Sequence, residues 1–366
     1  MHTDKIMSMC FWCFGLVLLF LSFGVNVFAQ DSTTMPANKE EIVSAAKKEG
    51  KLILSPGYDK KTIAALVKAY NKHYPFIDVS WSYVSGVTAA QRQLFEMAAG
   101  KASLDLFSPS SDNLGEYLKQ NVYKKYDFKK MAQTGLLEIM PEMIDDSGLF
   151  VWLGSNVGVL AYNSRLVPAA KAPTNWESCL DPQWKGKIAV DTRPNTLSWL
   201  VPAWGEEKVL DFARKLKANE PLWVRGQTAH MPRLAAGEYP IHCSMYLHTA
   251  QRTLLGDPTL PVKIVVPNPV PLTSHEPEGV YVGAKHPNAA LLWIEFVASN
   301  EAQQIVDSID PGKASFLVEG TIGQKLLKGK NVSLCGGSCR DRQSEYMERI
   351  AVSAWGLPKV GEAPKK

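Results

Sequence analysis

The chain has 366 residues, 46% of them apolar, and a formal net charge of +4. That apolar content fills globular cores, and Lys and Glu are interspersed, which excludes the basic stripe of a nucleic-acid binder. A weak basic bias remains compatible with an anionic ligand.

Residues 10–24, CFWCFGLVLLFLSFG, are apolar and lead to Val27-Phe28-Ala29. The pattern predicts a signal peptide over 1–29, cleaved after Ala29, with an uncleaved anchor as the alternative, and hence a periplasmic protein without access to ATP or reduced nicotinamide. Cys10 and Cys13 sit inside the apolar run, which argues against a lipid anchor on a mature N-terminal cysteine. The remainder exceeds the roughly 250–300 residues at which a single core stops growing, so two lobes are expected.

Residues 40–49 read as a helix, followed by a strand KLILS ending at Pro56-Gly57. Ile63, Leu66, Val67 and Tyr70 give helical spacing over 60–72. Residues 78–84 alternate as a strand and end at Ser85-Gly86. A helix over 88–99 stops at Gly100, 104–107 form a short strand, and a helix follows over 112–119. Strand and helix thus alternate three times, the pattern of a mostly parallel sheet covered by helices.

The three strand ends share one chemistry: Ser55-Pro56-Gly57-Tyr58, Ser85-Gly86-Val87-Thr88 and Ser108-Pro109-Ser110-Ser111. Each places hydroxyls and backbone N–H groups just before a helix. Ligands of open α/β sheets bind outside the carboxyl ends of the strands, and helix N-termini there favour anions.

Residues 151–162 form a long apolar strand interrupted by Gly154-Ser155-Asn156, suited to leaving one lobe for another. A second α/β set follows over 176–266, with helices over 195–204, 206–218, 228–236 and 247–255 and strands over 186–190, 241–245 and 262–266. Pro267, Pro269 and Pro271 argue against a regular ladder there. A strand over 279–283 and a helix over 287–299 return to the first lobe, and the tail from Gly361 reads as disordered.

Cys179, Cys243, Cys335 and Cys339 follow the leader and allow three pairings. Gly336 and Gly337 let the chain turn tightly, so a Cys335–Cys339 disulfide is expected in an oxidising compartment. Whether Cys179 and Cys243 pair stays open.

Five segments, 61–79 (KTIAALVKAYNKHYPFIDV), 90–107 (AQRQLFEMAAGKASLDLF), 157–166 (VGVLAYNSRL), 173–190 (PTNWESCLDPQWKGKIAV) and 234–242 (LAAGEYPIH), together resemble periplasmic substrate-binding proteins of ATP-driven (ABC) importers. The similarity is to the group containing the ferric-ion binders. It implies an α/β, two-lobed type II periplasmic binding fold. Residues 38–155 and 280–366 would form the first lobe, 165–275 the second, with a hinge between them. It further implies a monomer that catalyses nothing and hands a small molecule to a membrane permease.

Ferric binders of this group place two neighbouring tyrosines soon after the segment matching 237–242. Here Ser244-Met245-Tyr246-Leu247-His248 holds one. The broken pair favours a small anionic or carboxylated organic solute with no cofactor. Expected contacts are Ser55, Gly57, Tyr58, Ser85, Gly86, Ser108 and Ser110 from one lobe. Asn156 spans the crossover, and Thr192, Arg193 and Tyr246 close from the other. Arg193 offers a planar fork to an anion, and Trp152 and Trp199 an aromatic wall. The alternative is Fe3+ with a synergistic anion on Tyr246, His248 and Glu276, Glu276 lying in a loop after the prolines. A secreted hydrolase or lyase is the alternative of another class. Ser55, Ser85 and Ser108 lack a G-x-S-x-G context, and no H-E-x-x-H occurs.

Overall fold

The computed structural model describes residues 35–84, 86–110 and 113–359. The expected leader, Ser85, Ser111, Asp112 and the tail from Gly361 lie outside the described residues. Among the described residues, no helix is long and apolar enough to cross a membrane.

The described residues form ten strands in chain order: β1 (Lys51–Ser55), β2 (Asp78–Trp81), β3 (Leu106–Phe107), β4 (Val151–Asn163), β5 (Ile188–Asp191), β6 (Leu222–Val224), β7 (Ile241–Tyr246), β8 (Val262–Val265), β9 (Val270–Val280) and β10 (Val332–Leu334). They join in the order β2-β1-β3-β9-β4-β7-β5-β6, with β10 on β9 and β8 on β4. The outer strands run parallel, β1 with β2 and β3, β5 with β6 and β7. The long central pair β4 and β9 is antiparallel. This is a mixed α/β fold whose two lobes of helix-flanked sheet meet at that pair.

Local chemistry explains the elements. In the helix Lys60–His73, Asp59 accepts from the N–H groups of Lys61 and Thr62, while Ile63, Leu66 and Tyr70 face inward. They pack with Leu52, Leu54 and Leu106, and with Leu291, Trp293, Ile294 and Val297 of the helix Pro287–Ala298. Each such side chain contributes about 1.5–3 kcal/mol on burial. A separate core joins Leu160, Trp176, Ile188, Val190, Leu210, Phe212 and Ile241. Every residue of β4 except Tyr162 is buried. Residues 151–157 of β4 pair with β9, and from Gly158 onward it pairs with β7 and β8, so one strand serves both cores.

Several expectations change. The strand expected over 279–283 is the end of β9, which begins at Val270 and includes Pro271 and Pro277. A proline removes only its own donor. The neighbouring Val270 N–H still donates to the Asn331 carbonyl at 2.8 Å, and β10 runs alongside. His275 and Glu276 therefore lie in a strand rather than a loop. The helix expected over 195–204 divides into Asn195–Ser198 and Val201–Trp204, the second with proline in its first turn. Both cysteine pairs are bridged, Cys179–Cys243 as well as Cys335–Cys339. The C-terminal segment departs from its expected place in the first lobe. Ile350, Ala354 and Trp355 pack into the core of Trp176 and Phe212. The helix Glu206–Ala218 receives this segment.

Candidate ligand-binding site

Two cavities meet at the central pair. The larger, about 450 Å3, is lined by Asn156, Arg193, Gln227, Tyr246, His248, Arg252, His275 and Lys313. The smaller, about 270 Å3, is lined by Ser55, Gly57, Tyr83, Gly86, Gln93, Ser108, Ser110, Tyr117 and Glu276, and shares His275.

The larger cavity is built from the ends of β5 and β7, the starts of two helices, and the middle of β4 and β9. Tyr246 closes β7, and its hydroxyl accepts from Asn195 Nδ2 at 2.8 Å. Its ring stacks on Trp199, centroids 5.5 Å apart. Gln227 opens the helix Gln227–Ala236 behind Gly226, which stands at φ 96° and provides no side-chain cap. Gln227 accepts from the Tyr246 N–H at 3.0 Å and donates to Asp191 Oδ2 at 3.1 Å and the Ser244 carbonyl at 2.9 Å. β5, β7 and this helix are thereby held to one another at the cavity floor.

Three cations border the cavity, each backed by a more deeply buried acid. Arg193 holds Asp191 through two bonds of 3.2 and 3.0 Å. Arg252 lies 3.2 Å from Asp310, and Lys313 2.8 Å from Glu276. The side chains of Asp191, Asp310 and Glu276 are 1%, 7% and 3% exposed, against 32%, 37% and 10% for their cations. Positive ends therefore face the space and negative ends the protein, an orientation that favours an anion. Burial pushes the Asp310 carboxyl up to about 6, against the pull of Arg252 and Lys313. His248 is held well below the usual imidazole range, first by burial and then by Lys313, His275 and Arg252, so its ring is neutral. Its Nδ1 is buried without a hydrogen-bond partner, as are Asn156 Oδ1 and Asn195 Oδ1.

Glu276 lines the smaller cavity beside His275, which borders both. The Glu276 backbone is left-handed at φ 54°, a conformation that costs a non-glycine residue energy and concentrates at functional sites. Burial alone would raise its carboxyl. Lys313 and His275 outweigh burial and hold it well below the ordinary carboxylate range. The carboxylate lies over Gly57, where an added Cβ would stand 1.7 Å from Oε2, and it accepts from Ser108 Oγ at 3.4 Å. Ser55 Oγ accepts from Gln93 Nε2 at 2.6 Å.

The structure thus brings Gly57, Gly86, Ser55, Ser108 and Ser110 to one cavity, and Asn156, Arg193, Tyr246 and His248 to the other. Tyr58 is a correction: it is 2% exposed, and its hydroxyl donates to the Leu153 carbonyl, because the chain after Gly57 turns its ring into the core. Thr192 is a second: its Oγ1 is buried and it lines neither cavity. Glu276 is a third, its charge being taken up by Lys313 instead of standing free for a metal. Trp152 and Trp199 stand behind the site at 5% and 1% exposure and form no wall. Gln227, Arg252 and Lys313 were not expected. A strand-end reading could have found Gln227, which follows a glycine at a helix start, but Arg252 sits inside a helix and Lys313 in a late loop.

Among the described residues, no group of three or more His, Cys, Asp and Glu side chains is placed to hold a metal ion. Any metal here would draw on the phenol of Tyr246 and on oxygens brought with it.

Comparison with known proteins agrees with this architecture. The profile of bacterial extracellular solute-binding proteins matches residues 102–325. None of the curated proteins matches the sequence. Iron-bound HitA from Pseudomonas aeruginosa superimposes with a TM-score of 0.65 at 17% identity, covering 83% of this chain and 99% of that one. IdiA (FutA) from Trichodesmium, in complex with iron and citrate, gives 0.65 at 19%, covering 84% and 99%. AfuA from Actinobacillus pleuropneumoniae, with fructose-6-phosphate bound, gives 0.58 at 17%, covering 84% and 99%. The expectation of a ligand without any metal or cofactor is corrected by these likenesses, since two of the three structures hold iron.

Proposed function

We propose that this chain, which belongs to the bacterial extracellular solute-binding protein family, captures ferric ion together with a small carboxylate-bearing anion. Its general role is that of the solute-binding component of an ABC importer, acting outside the cytoplasmic membrane and transforming nothing. The cargo reading replaces the metal-free organic solute expected from the broken tyrosine pair. It is supported by the iron and the iron–citrate held by proteins of this fold.

The observation that carries it is the composition of the larger cavity. Tyr246 offers one hard oxygen donor and His248 one neutral imidazole, too few to complete a ferric shell. Arg193, Arg252 and Lys313 face the same space. A chelating anion would supply the missing oxygens and answer the three cations with charge-assisted hydrogen bonds. One phenol is then enough, because the second donor set arrives with the cargo.

The test is a titration of metal-stripped protein with ferric citrate, citrate alone and fructose-6-phosphate. Ferric citrate is expected to bind tightest and to produce a visible phenolate-to-iron band that Tyr246→Phe abolishes. Binding of citrate or the sugar phosphate as tightly in the absence of iron, with no visible band, overturns the reading.

A further inference from the structure

We propose that the loop closed by the Cys335–Cys339 disulfide is a positioning element for the cleft, fixing the orientation of Tyr246 through Trp199. The inference rests on the reading of Tyr246 as a cargo contact. The loop itself touches neither cavity.

The chain of contacts is short. Cys335, Cys339 and Tyr346 form one buried cluster with Trp199, and Tyr246 packs against its edge. Trp199 is 1% exposed, yet its indole Nε1 has no hydrogen-bond partner. No polar bond orients the ring, so packing alone sets its angle. The disulfide supplies one side of that packing, and the Tyr246 ring, inclined 25° to the indole, is the other.

The backbone beside the indole is tied to the same C-terminal segment. Ser333 Oγ donates to the Trp199 carbonyl at 2.7 Å and accepts from the Ala203 N–H at 3.1 Å. The turn carrying Asn195, the hydrogen-bond donor to the Tyr246 hydroxyl, is thereby held from behind.

The loop is anchored at its other end on the central strands. The Arg340 guanidinium lies 3.5 Å from the ring centre of Trp152 in β4. Arg340 Nη2 donates to Thr273 Oγ1 at 3.3 Å, and Thr273 Oγ1 donates to the Cys335 carbonyl at 2.9 Å. Thr273 stands opposite Asn156 in the β4–β9 register, and Asn156 lines the cavity. One five-residue ring of chain therefore braces the aromatic stack against the strands on which the lobes meet.

The test compares the native protein with Cys335→Ser/Cys339→Ser, with Trp199→Phe as the spectral reference. Near-UV circular dichroism reads the indole's fixed setting, and ferric citrate is the binding probe. The double variant is expected to melt cooperatively while losing the Trp199 contribution to the near-UV spectrum. Its affinity for ferric citrate is expected to fall about tenfold, the range of coupling between residues in contact. An unchanged near-UV spectrum, or unchanged affinity, overturns the proposal. If ferric citrate does not bind even the native protein, the cargo reading falls, and the spectrum alone decides whether the loop sets the stack. If the double variant does not fold, Trp199→Leu removes the stack with the disulfide intact, and undiminished affinity there overturns the proposal equally.

Discussion

At the scale of single residues, the site depends on charges balanced out of water. Lys313 and Glu276 are both nearly buried, so removing one strands the other. Lys313→Met is expected to cost about 3–5 kcal/mol in denaturant unfolding, the usual penalty for an uncompensated buried charge. Adding Glu276→Gln should recover most of it, and a double variant as unstable as the single one would show that the pair is not the cause. Two residues along β9, Glu278 is fully buried and its carboxyl is pushed up to about 8, by burial first and then by the charge of Glu276. The unfolded chain releases that proton near pH 4.5, whereas the folded chain keeps it to about pH 8. Folded protein thus binds the extra proton between those limits, and stability falls as pH rises through them. Glu278→Gln should flatten that decline, read as urea midpoints at about pH 5 and about pH 8; parallel losses in both proteins would exclude it. Tyr246 and Arg193 were legible in the sequence because both follow strand ends, outside which the ligands of such sheets bind. Lys313 and Arg252 were not. Nothing local distinguishes them from solvated cations, and only the approach of Glu276 and Asp310 gives them a role.

At the scale of elements, the repeated strand–helix pattern was readable because periodicity is a local property. The reading failed at β9, where proline outweighed the neighbouring Val270 and Leu272 although both are buried in a ladder. The two disulfides differ in what they constrain. Cys179–Cys243 spans 64 positions and ties the turn Trp176–Leu180 to β7, whereas Cys335–Cys339 spans 4. Replacing the first pair is expected to cost about 2–5 kcal/mol, because a long loop regains its freedom in the unfolded chain. Replacing the second should leave the melting transition close to that of the native protein. Calorimetry of the two double variants checks the order, and equal losses would contradict it.

At the scale of the molecule, the long central pair β4 and β9 is suited to act as a hinge, and a cleft lined from both sides is something for it to close upon. Small-angle scattering is expected to show compaction when ferric citrate saturates the protein, and an unchanged radius would argue against closure. The two-lobed plan was visible in the sequence from one long apolar strand leaving and another segment returning. The third passage was not, since the apolar spacing of Ile350, Ala354 and Trp355 says that they are buried but not against what. That passage constrains the order of assembly during synthesis. The first core waits for the helix Pro287–Ala298, and the second waits longer, for Ile350, Ala354 and Trp355. A nascent chain halted at about residue 330 carries every contact of the larger cavity and still lacks part of the wall of the core beneath it. The second core therefore cannot close before the segment 350–355 has been made, and the cleft resting on it should become competent only after that segment has docked.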